Sequence, residues 1–327
     1  SWELGLDMRL FKDFSLGFSW YLANTFNQTF DPKVSVSSGY SKIYLQTGYV
    51  RNSGVELSLG YGHTWNNHLH WESNFTLSHN KNTIKDLVTS YIHPETGLPI
   101  TQNRLDVGGL GKARFILKKG GTLGDLYTQS DLKRDNSGMV EIDPSGALTT
   151  EDNLPDIKLG SVFPKANLAW NNRFEWRGIS LSALFTARIG GIAYSATQAA
   201  MDQYGVSERS AQARDNGGVL LNGRTLVDAQ TYYSLIGNSS GLPQYYTYSA
   251  TNVRLQEASV GYTIPRKWLG GVCDINVSVV GRNLWMIYCR APFDPEAVVN
   301  TGNYYQGIDN FMLPSTRNVG LNVKINF

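Results

Sequence analysis

An all-β fold, a transmembrane antiparallel β-barrel, is what these 327 residues predict, and three observations predict it. The last ten residues, Asn318 to Phe327, alternate strictly: Val319, Leu321, Val323, Ile325 and Phe327 share one parity, and Asn318, Gly320, Asn322, Lys324 and Asn326 the other. That is the period of a strand with one oily and one wet face. At the other end, Trp2, Leu4, Leu6, Met8 and Leu10 alternate with Glu3, Gly5, Asp7 and Arg9. A sandwich core would not hold that row of charges, whereas a water-filled lumen can. Between these two lie enough further strands to make about eleven, joined alternately by tight turns and long loops, as in outer-membrane barrels.

Composition agrees with this reading. Charged residues make up 17% and aromatics 12% of the chain, with 33 glycines, against roughly 25% charge in ordinary globular domains. The mean hydropathy of -0.27 does not exclude a barrel, because half the residues of an alternating membrane strand face water. No apolar run approaches the roughly 20 residues of a membrane helix. The net charge of +2 comes from scattered Lys and Arg without a basic patch, so nucleic acid is not an expected partner. No signal peptide opens the chain, so for an exported protein the numbering is expected to start inside a longer one. Cys273 and Cys289 flank one strand segment, roughly 50 Å apart if it is extended, and are read as packing thiols.

In chain order, the opening strand turns at Phe11-Lys12-Asp13 into Phe14, Leu16, Phe18, Trp20 and Leu22. A looser stretch is expected from about Asn24 to Thr47. Val55, Leu57, Leu59 and Tyr61 then lead to a turn near Trp65-Asn66-Asn67, with Leu69, Trp71, Phe75 and Leu77 returning. Arg114 to Leu117 and Leu123 to Thr128 are read as two further wall strands around Lys118-Lys119-Gly120-Gly121. Leu168, Trp170, Phe174 and Trp176 pass through Arg177-Gly178 into Ile179, Leu181, Ala183, Phe185, Ala187 and Ile189. From Gly190 to about Ala250 alternation is lost, and loops of that length are usually functional. Val253 and Leu255 change parity at Glu257-Ala258 before Val260, Tyr262 and Ile264, which predicts a β-bulge. After a turn at Pro265 to Gly271, Ile275, Val277 and Val279 climb to Leu284-Trp285; a loop from Cys289 to Leu313 precedes the last strand.

With the C-terminus on the periplasmic side, the turns at Lys12, Asn66, Gly120, Arg177 and Lys267 all fall there too. Trp65, Trp71, Trp176 and Trp268 then lie at the turn end and Trp2, Trp20 and Trp285 at the long-loop end, which makes two aromatic girdles. Trp170 falls mid-strand, outside both. An odd strand number cannot close a single-chain bacterial barrel, so the chain is expected to be the C-terminal half of a larger one.

Several blocks carry a family resemblance. R-N-S-G-V-E-L-S-L at Arg51 to Leu59, N-V-R-L-Q-E-A-S-V-G-Y-T-I-P at Asn252 to Pro265, G-R-N-L-W at Gly281 to Trp285 and the final G-L-N-V-K-I-N-F resemble the C-terminal strands of SusC-like (RagA-like) TonB-dependent transporters of Bacteroidota. N-N-R-F-E-W-R-G-I-S-L-S-A-L-F at Asn171 to Phe185 resembles that family's N-x-F-x-Y-K-G-F-D-L-S hairpin. Gly320, Val323, Ile325 and Phe327 resemble the signal read by the outer-membrane barrel-assembly machinery. The resemblance implies a barrel of about 22 strands, a lumen-filling plug and a TonB-contacting segment, neither of which is in this chain, and a SusD-like surface lipoprotein as lid. Its implied partners are TonB-ExbB-ExbD, outer-membrane lipid and an oligosaccharide or oligopeptide solute; a dimer of transporter-lid pairs is an assembly it allows. Many members carry an acidic D-x-N-x-D-G-like loop. Asp135-Asn136-Ser137-Gly138 and Asp143-Pro144-Ser145-Gly146 depart from it, which puts bound calcium in doubt.

For a transporter the functional groups are those that meet the solute. Aromatic platforms suit its apolar faces, and donors and acceptors its polar groups. The candidates are Tyr232, Tyr233, Tyr245, Tyr246 and Tyr248 in the long loop, Tyr304 and Tyr305 in the last, and Arg224, Asp228, Asn303 and Asp309 beside them; the alternative is loop packing, girdle anchoring or contact with the lid. Glu3, Asp7, Arg9, Arg173, Glu175 and Arg188 are expected to line the lumen, with Arg254, Arg282 and Glu257 near that face, either along the solute path or in charge balance across a wet wall. His63, His68 and His70 cluster near one turn without a further ligand type, so no metal is assigned. No nucleophile-base arrangement is found, and G-G-L-G at Gly108 to Gly111 lacks a strand-to-helix context; neither an enzyme nor a cofactor is expected. Active import is the leading reading, with a passive porin, a surface-binding structural barrel and a soluble all-β protein as alternatives.

Overall fold

The computed structural model describes residues 1–30, 39, 44–65, 68–92, 99–302 and 305–326. Nine strands form one antiparallel sheet in chain order: β1 (Trp2–Leu10), β2 (Phe14–Phe30), β3 (Leu45–Thr64), β4 (Leu69–Asp86), β5 (Ala166–Trp176), β6 (Ile179–Ile189), β7 (Asn252–Ile264), β8 (Asp274–Cys289) and β9 (Asn318–Asn326). β1 to β2, β3 to β4, β5 to β6 and β7 to β8 are joined by short turns at one end, and long loops join the rest at the other. At the β5–β6 turn, Arg177 and Gly178 both have positive φ, 47° and 90°, as a two-residue hairpin with right-twisted strands requires.

The register keeps the oily parity on one face across the sheet. Leu6 faces Phe18, Phe18 faces Leu57, Leu57 faces Leu77, Leu77 faces Leu168 and Leu168 faces Ala187. A one-residue slip would exchange the two faces. The side chains of this face stay exposed, Leu4 at 65%, Leu181 at 45% and Val323 at 52%, as expected of a surface that lipid covers. The parity change predicted near Glu257 is a bulge: Gln256 has no opposite number, since Leu255 and Glu257 pair with Phe185 and Leu184.

Three expectations change. Among the described residues the wall has nine strands, not about eleven, because Arg114 to Leu117 and Leu123 to Thr128 lie elsewhere. Ala113–Lys118 and Asp125–Thr128 pair with Arg104–Leu110 and Ile157–Ser161 in a separate four-stranded sheet. Phe115, Ile116 and Leu117 are consecutive and all fully buried, so both faces of that strand are covered by protein; a wall strand has one face in lipid. The Gly120 turn is therefore not periplasmic. Gly120 N–H donates to Ile84 O and Ile84 N–H to Gly121 O, both at 2.8 Å, which docks the turn on the long-loop end of β4. Finally, the two ends of the looser stretch expected from Asn24 to Thr47 are strand, since β2 runs on to Phe30 and β3 begins at Leu45; most of its middle lies outside the described residues.

The long-loop segments fuse into a cap with its own core. Residues 190–250, expected only to lack alternation, fold into α1 (Ala196–Gln203), α2 (Glu208–Asp215) and α3 (Ala229–Gly237). Ser195, Ser207 and Asp228 cap them by accepting from Gln198, Ser210 and Thr231 N–H. Phe115, Leu126, Val162, Tyr194, Ile236, Leu242, Tyr246 and Ile308 share one buried cluster, so segments from three separate loops pack as a unit.

One inner-face glycine fixes how tightly β2, β3 and β4 approach. Gly54 faces Tyr21 across the register, and a Cβ there would stand 2.5 Å from the Tyr21 ring and 2.4 Å from His79 O. Gly54→Ala is expected to destabilise the protein by about 1–3 kcal/mol through overpacking. Denaturant titration of the whole protein checks this, and an unchanged midpoint would show that both the Tyr21 ring and the His79 carbonyl can move aside.

Candidate solute path and cap

The inner face carries polar groups in two grooves. Towards the turn end, one of about 840 Å³ is lined by His70, Arg173, Glu175, Glu257 and Lys324. Towards the long loops, another of about 730 Å³ is lined by Asp7, Glu56, Arg188 and Glu296. Glu3 and Arg9 share this parity and face Tyr21 and Ser15. Arg173 pairs with Glu175, and Arg282 with Glu257 at 2.8 Å, so part of the charge is balanced within the wall; Arg188 Nη2 donates to Val162 O at 2.8 Å. Arg254 is buried and donates to both oxygens of Asp294, at 2.9 and 3.2 Å, with Glu296 at 3.4 Å. This ties the last long loop to β7.

On the outer face, aromatic rings link neighbouring strands near the turns. Phe14 to Tyr61, Tyr61 to Trp71 and Trp71 to Phe174 have centroid separations of 4.7, 5.1 and 5.7 Å. Trp65 lies edge-on to His63, Trp268 packs near Tyr262, and Arg177 stands over Trp176. Trp2, Trp20 and Trp285 are exposed at the opposite end. Trp170, which the girdles leave unexplained, donates its indole N–H to Ser73 Oγ at 3.0 Å. A mid-wall indole therefore has a protein acceptor where lipid offers none. Gly320, Val323 and Ile325 sit on β9 opposite Val280, Val277 and Ile275; Phe327 lies outside the described residues.

The solute candidates divide. Tyr246 is fully buried and its hydroxyl donates to Asp202 Oδ2 at 3.0 Å; burial, then the Asp202 charge, pushes its pKa up. Tyr232 is buried in the same core, and desolvation raises it to about 12. Asp309 is buried and accepts from Ser195 Oγ at 2.5 Å. Asp228 caps α3, accepting from Thr231 N–H at 2.8 Å; that bond and the Thr231 hydroxyl hold its pKa low. Tyr246 and Asp309 are corrected from solute contacts to structural groups, because their polar atoms are engaged within the cap; Tyr232 is buried in the cap core, and Asp228 stays exposed with its Oδ2 spent on the α3 cap. Tyr233, Tyr245 and Tyr248 are half-buried, with Tyr245 Oη 3.4 Å from Asp131 Oδ1 and Tyr248 edge-on to Phe293. Arg224 is exposed and reaches Met139 Sδ. Tyr305 is partly exposed beside Phe115. Asn303 and Tyr304 lie outside the described residues.

Other expected groups find local partners. Asp135 Oδ1 accepts from Ser137 N, Ser137 Oγ and Met139 N at 2.9, 2.6 and 3.0 Å, and Asp143 repeats this with Ser145 and Ala147 at 2.7, 2.6 and 3.0 Å. The serine hydroxyl first, then backbone N–H groups, lower both pKa values. These are side-chain-closed turns. His63 pairs with Asp13, whereas His70 bonds Thr64; residues 63 and 70 have opposite strand parities. Sequence reasoning missed Asp202 and Arg209, which form an ion pair beside Tyr246. The three capping residues were a signal for the helices that carry them.

In the cap's four-stranded sheet, Asp156 accepts from Arg104 Nε and Nη2 at 2.7 and 2.9 Å and pairs with Lys118 at 2.9 Å. The Arg104 bonds, with Lys118 and against desolvation, hold its pKa down to about 2 from 3.8. Below 3.8 the unfolded chain takes up this proton before the folded one does. The stabilisation is therefore complete above that pH and lost as pH falls towards 2. Thermal unfolding of the whole protein should show an acid-side loss that Asp156→Asn reduces; an identical profile for the variant would contradict this.

A sheet with one lipid-covered face and one polar grooved face, bearing tight turns at one end and a packed cap at the other, defines a wall segment of a transmembrane barrel. The particular likeness is to TonB-dependent receptors. Receptor P3 of Formosa agariphila is 23% identical over 352 residues, covering 98% of this chain and 33% of that protein; receptor P39 of the same organism is 20% identical over 389, covering 98% and 35%. A structure of the RagAB peptide importer in the closed-closed state matches with a TM-score of 0.70 at 18% identity, covering 99% of this chain and 35% of that one. The open-open state gives 0.67 at 18%, covering 99% and 34%. No family model matches the chain. The likeness to TonB-dependent receptors covers nearly the whole chain, which spans about a third of the length of the relatives it matches.

Proposed function

We propose that residues 1–327 are the C-terminal part of the barrel of an outer-membrane active importer, whose plug and N-terminal strands lie in other parts of the protein. The solute is an oligopeptide or oligosaccharide, a SusD-like surface lipoprotein covers the mouth, and TonB-ExbB-ExbD supplies energy through the plug. The observation that carries this reading is the two-faced wall: the outer parity is lipid-compatible over nine strands, and the inner parity presents charged and amide groups in two grooves. The likeness to TonB-dependent receptors supports active import over passive diffusion, and the RagAB fold match favours peptide over glycan. Membrane crossing follows from the strands alone; among the described residues no helix is long and apolar enough to cross a membrane.

Purifying the full-length protein from outer membranes in mild detergent tests this, with proteins and small molecules in the preparation identified together by mass spectrometry. A lipoprotein accompanied by a ladder of peptides or oligosaccharides is the expected result. A lone barrel with an empty lumen would favour a porin or a structural barrel.

A further inference from the structure

Between the three cap helices lies a cavity of about 340 Å³, lined among others by Asp202, Gln203, Tyr204, Arg214, Gln230 and Tyr233. That volume is at the small end of ligand sites, which run to about 300–1,000 Å³, and suits one amino-acid residue or one sugar ring. Asp202, the only carboxylate in the lining among the described residues, is already spent on the Tyr246 hydroxyl, the Ser207 hydroxyl and Arg209. Arg214 differs. Its Nη1 donates to Gly205 O at 2.8 Å, and among the described residues no carboxylate pairs with it. Gly205 has a φ of 68°, and a Cβ there would stand 2.9 Å from Arg214 Nη1, so the glycine lets the guanidinium lie against the backbone. Arg214, Gln230 and Tyr204 are exposed and Gln203 half-buried, and the side-chain amides of Gln203 and Gln230 have no hydrogen-bond partner among the described residues.

We propose that this cavity is a solute subsite for a carboxylate-bearing unit, with Arg214 binding the carboxylate, Gln203 and Gln230 bonding the adjoining amides or hydroxyls, and Tyr204 covering an apolar face. A guanidinium presents a planar fork that matches a carboxylate, and a tyrosine ring gives area at low entropic cost. The carboxylate comes from a peptide C-terminus or from a uronic acid. The proposal rests on the import reading, which it makes more specific.

The test is calorimetric titration of the full-length protein in detergent with a hexapeptide bearing a free C-terminus, its C-terminal amide, trigalacturonate and the methyl ester of trigalacturonate. One free acid should bind at least about tenfold more tightly than its blocked form, as for a hydrogen bond to a charged group; which one does so identifies the source. Arg214→Gln should abolish that preference, chiefly by weakening the free acid, and Arg214→Lys should retain part of it. If Arg214→Gln does not fold, the wild-type comparison of free and blocked acids, together with Gln230→Ala, still decides. Equal affinities for free and blocked forms, no binding of any probe, or a preference that survives in Arg214→Gln overturns the subsite. Uptake in cells separates the two claims: energised uptake without carboxylate preference sinks only the subsite, and uptake that ignores an uncoupler sinks the import reading.

Discussion

Val323→Arg is expected to cost about 2–4 kcal/mol, whereas Asn322→Arg one residue earlier should cost little. Val323 faces Val277 on the outer parity, and its side chain is half exposed in the isolated sheet, so in a bilayer the substituted guanidinium would meet hydrocarbon. Asn322 points to the opposite face, with its amide 3.5 Å from Ser278 Oγ, where water can hydrate a new charge. Refolding titrations of the full-length protein into lipid vesicles read both costs. Equal costs would mean that the two faces have been assigned the wrong way or that neither meets lipid.

Removing Arg254 should have an effect of the same size for a different reason. The guanidinium and Asp294 are both buried, with side chains 5% and 9% exposed, and Arg254 Nε also donates to Asn252 Oδ1 at 3.1 Å. Truncating one partner strands the other's charge, which typically costs about 3–5 kcal/mol. Arg254→Ala is therefore expected to lower stability by that amount and to loosen the last long loop. Adding Asp294→Asn should recover part of the loss, because the stranded charge is gone. A single variant within about 0.5 kcal/mol of wild type would show that water reaches the pair.

The wall was legible because alternation is a local signal: β1, β6 and β9 announce both faces within ten residues, and even the Gln256 bulge shows as a change of parity. The strand count was overestimated where a different physical situation leaves a similar trace. Phe115, Ile116 and Leu117 form a short apolar run, and such a run reads alike whether lipid or protein covers it; only its neighbours, Leu126 and Val162 in the same buried cluster, decide. The cap was the least legible part. Its helices are eight or nine residues long, too short for a sustained helical period, so nothing local shows that Tyr232 and Tyr246 pack inward. Asp228 and Asp309 look free in sequence, because a carboxylate engaged in capping or bonded to a serine over a hundred positions away has no local signature.

If this wall belongs to an energised importer, as proposed, uptake must depend on the proton-motive force. Cells carrying the full-length protein would be supplied with the solute that copurifies with it, with and without an uncoupler of the proton-motive force. Uptake that requires both the protein and the proton-motive force is the predicted result; protein-dependent uptake that continues unchanged in the uncoupled cells would contradict it.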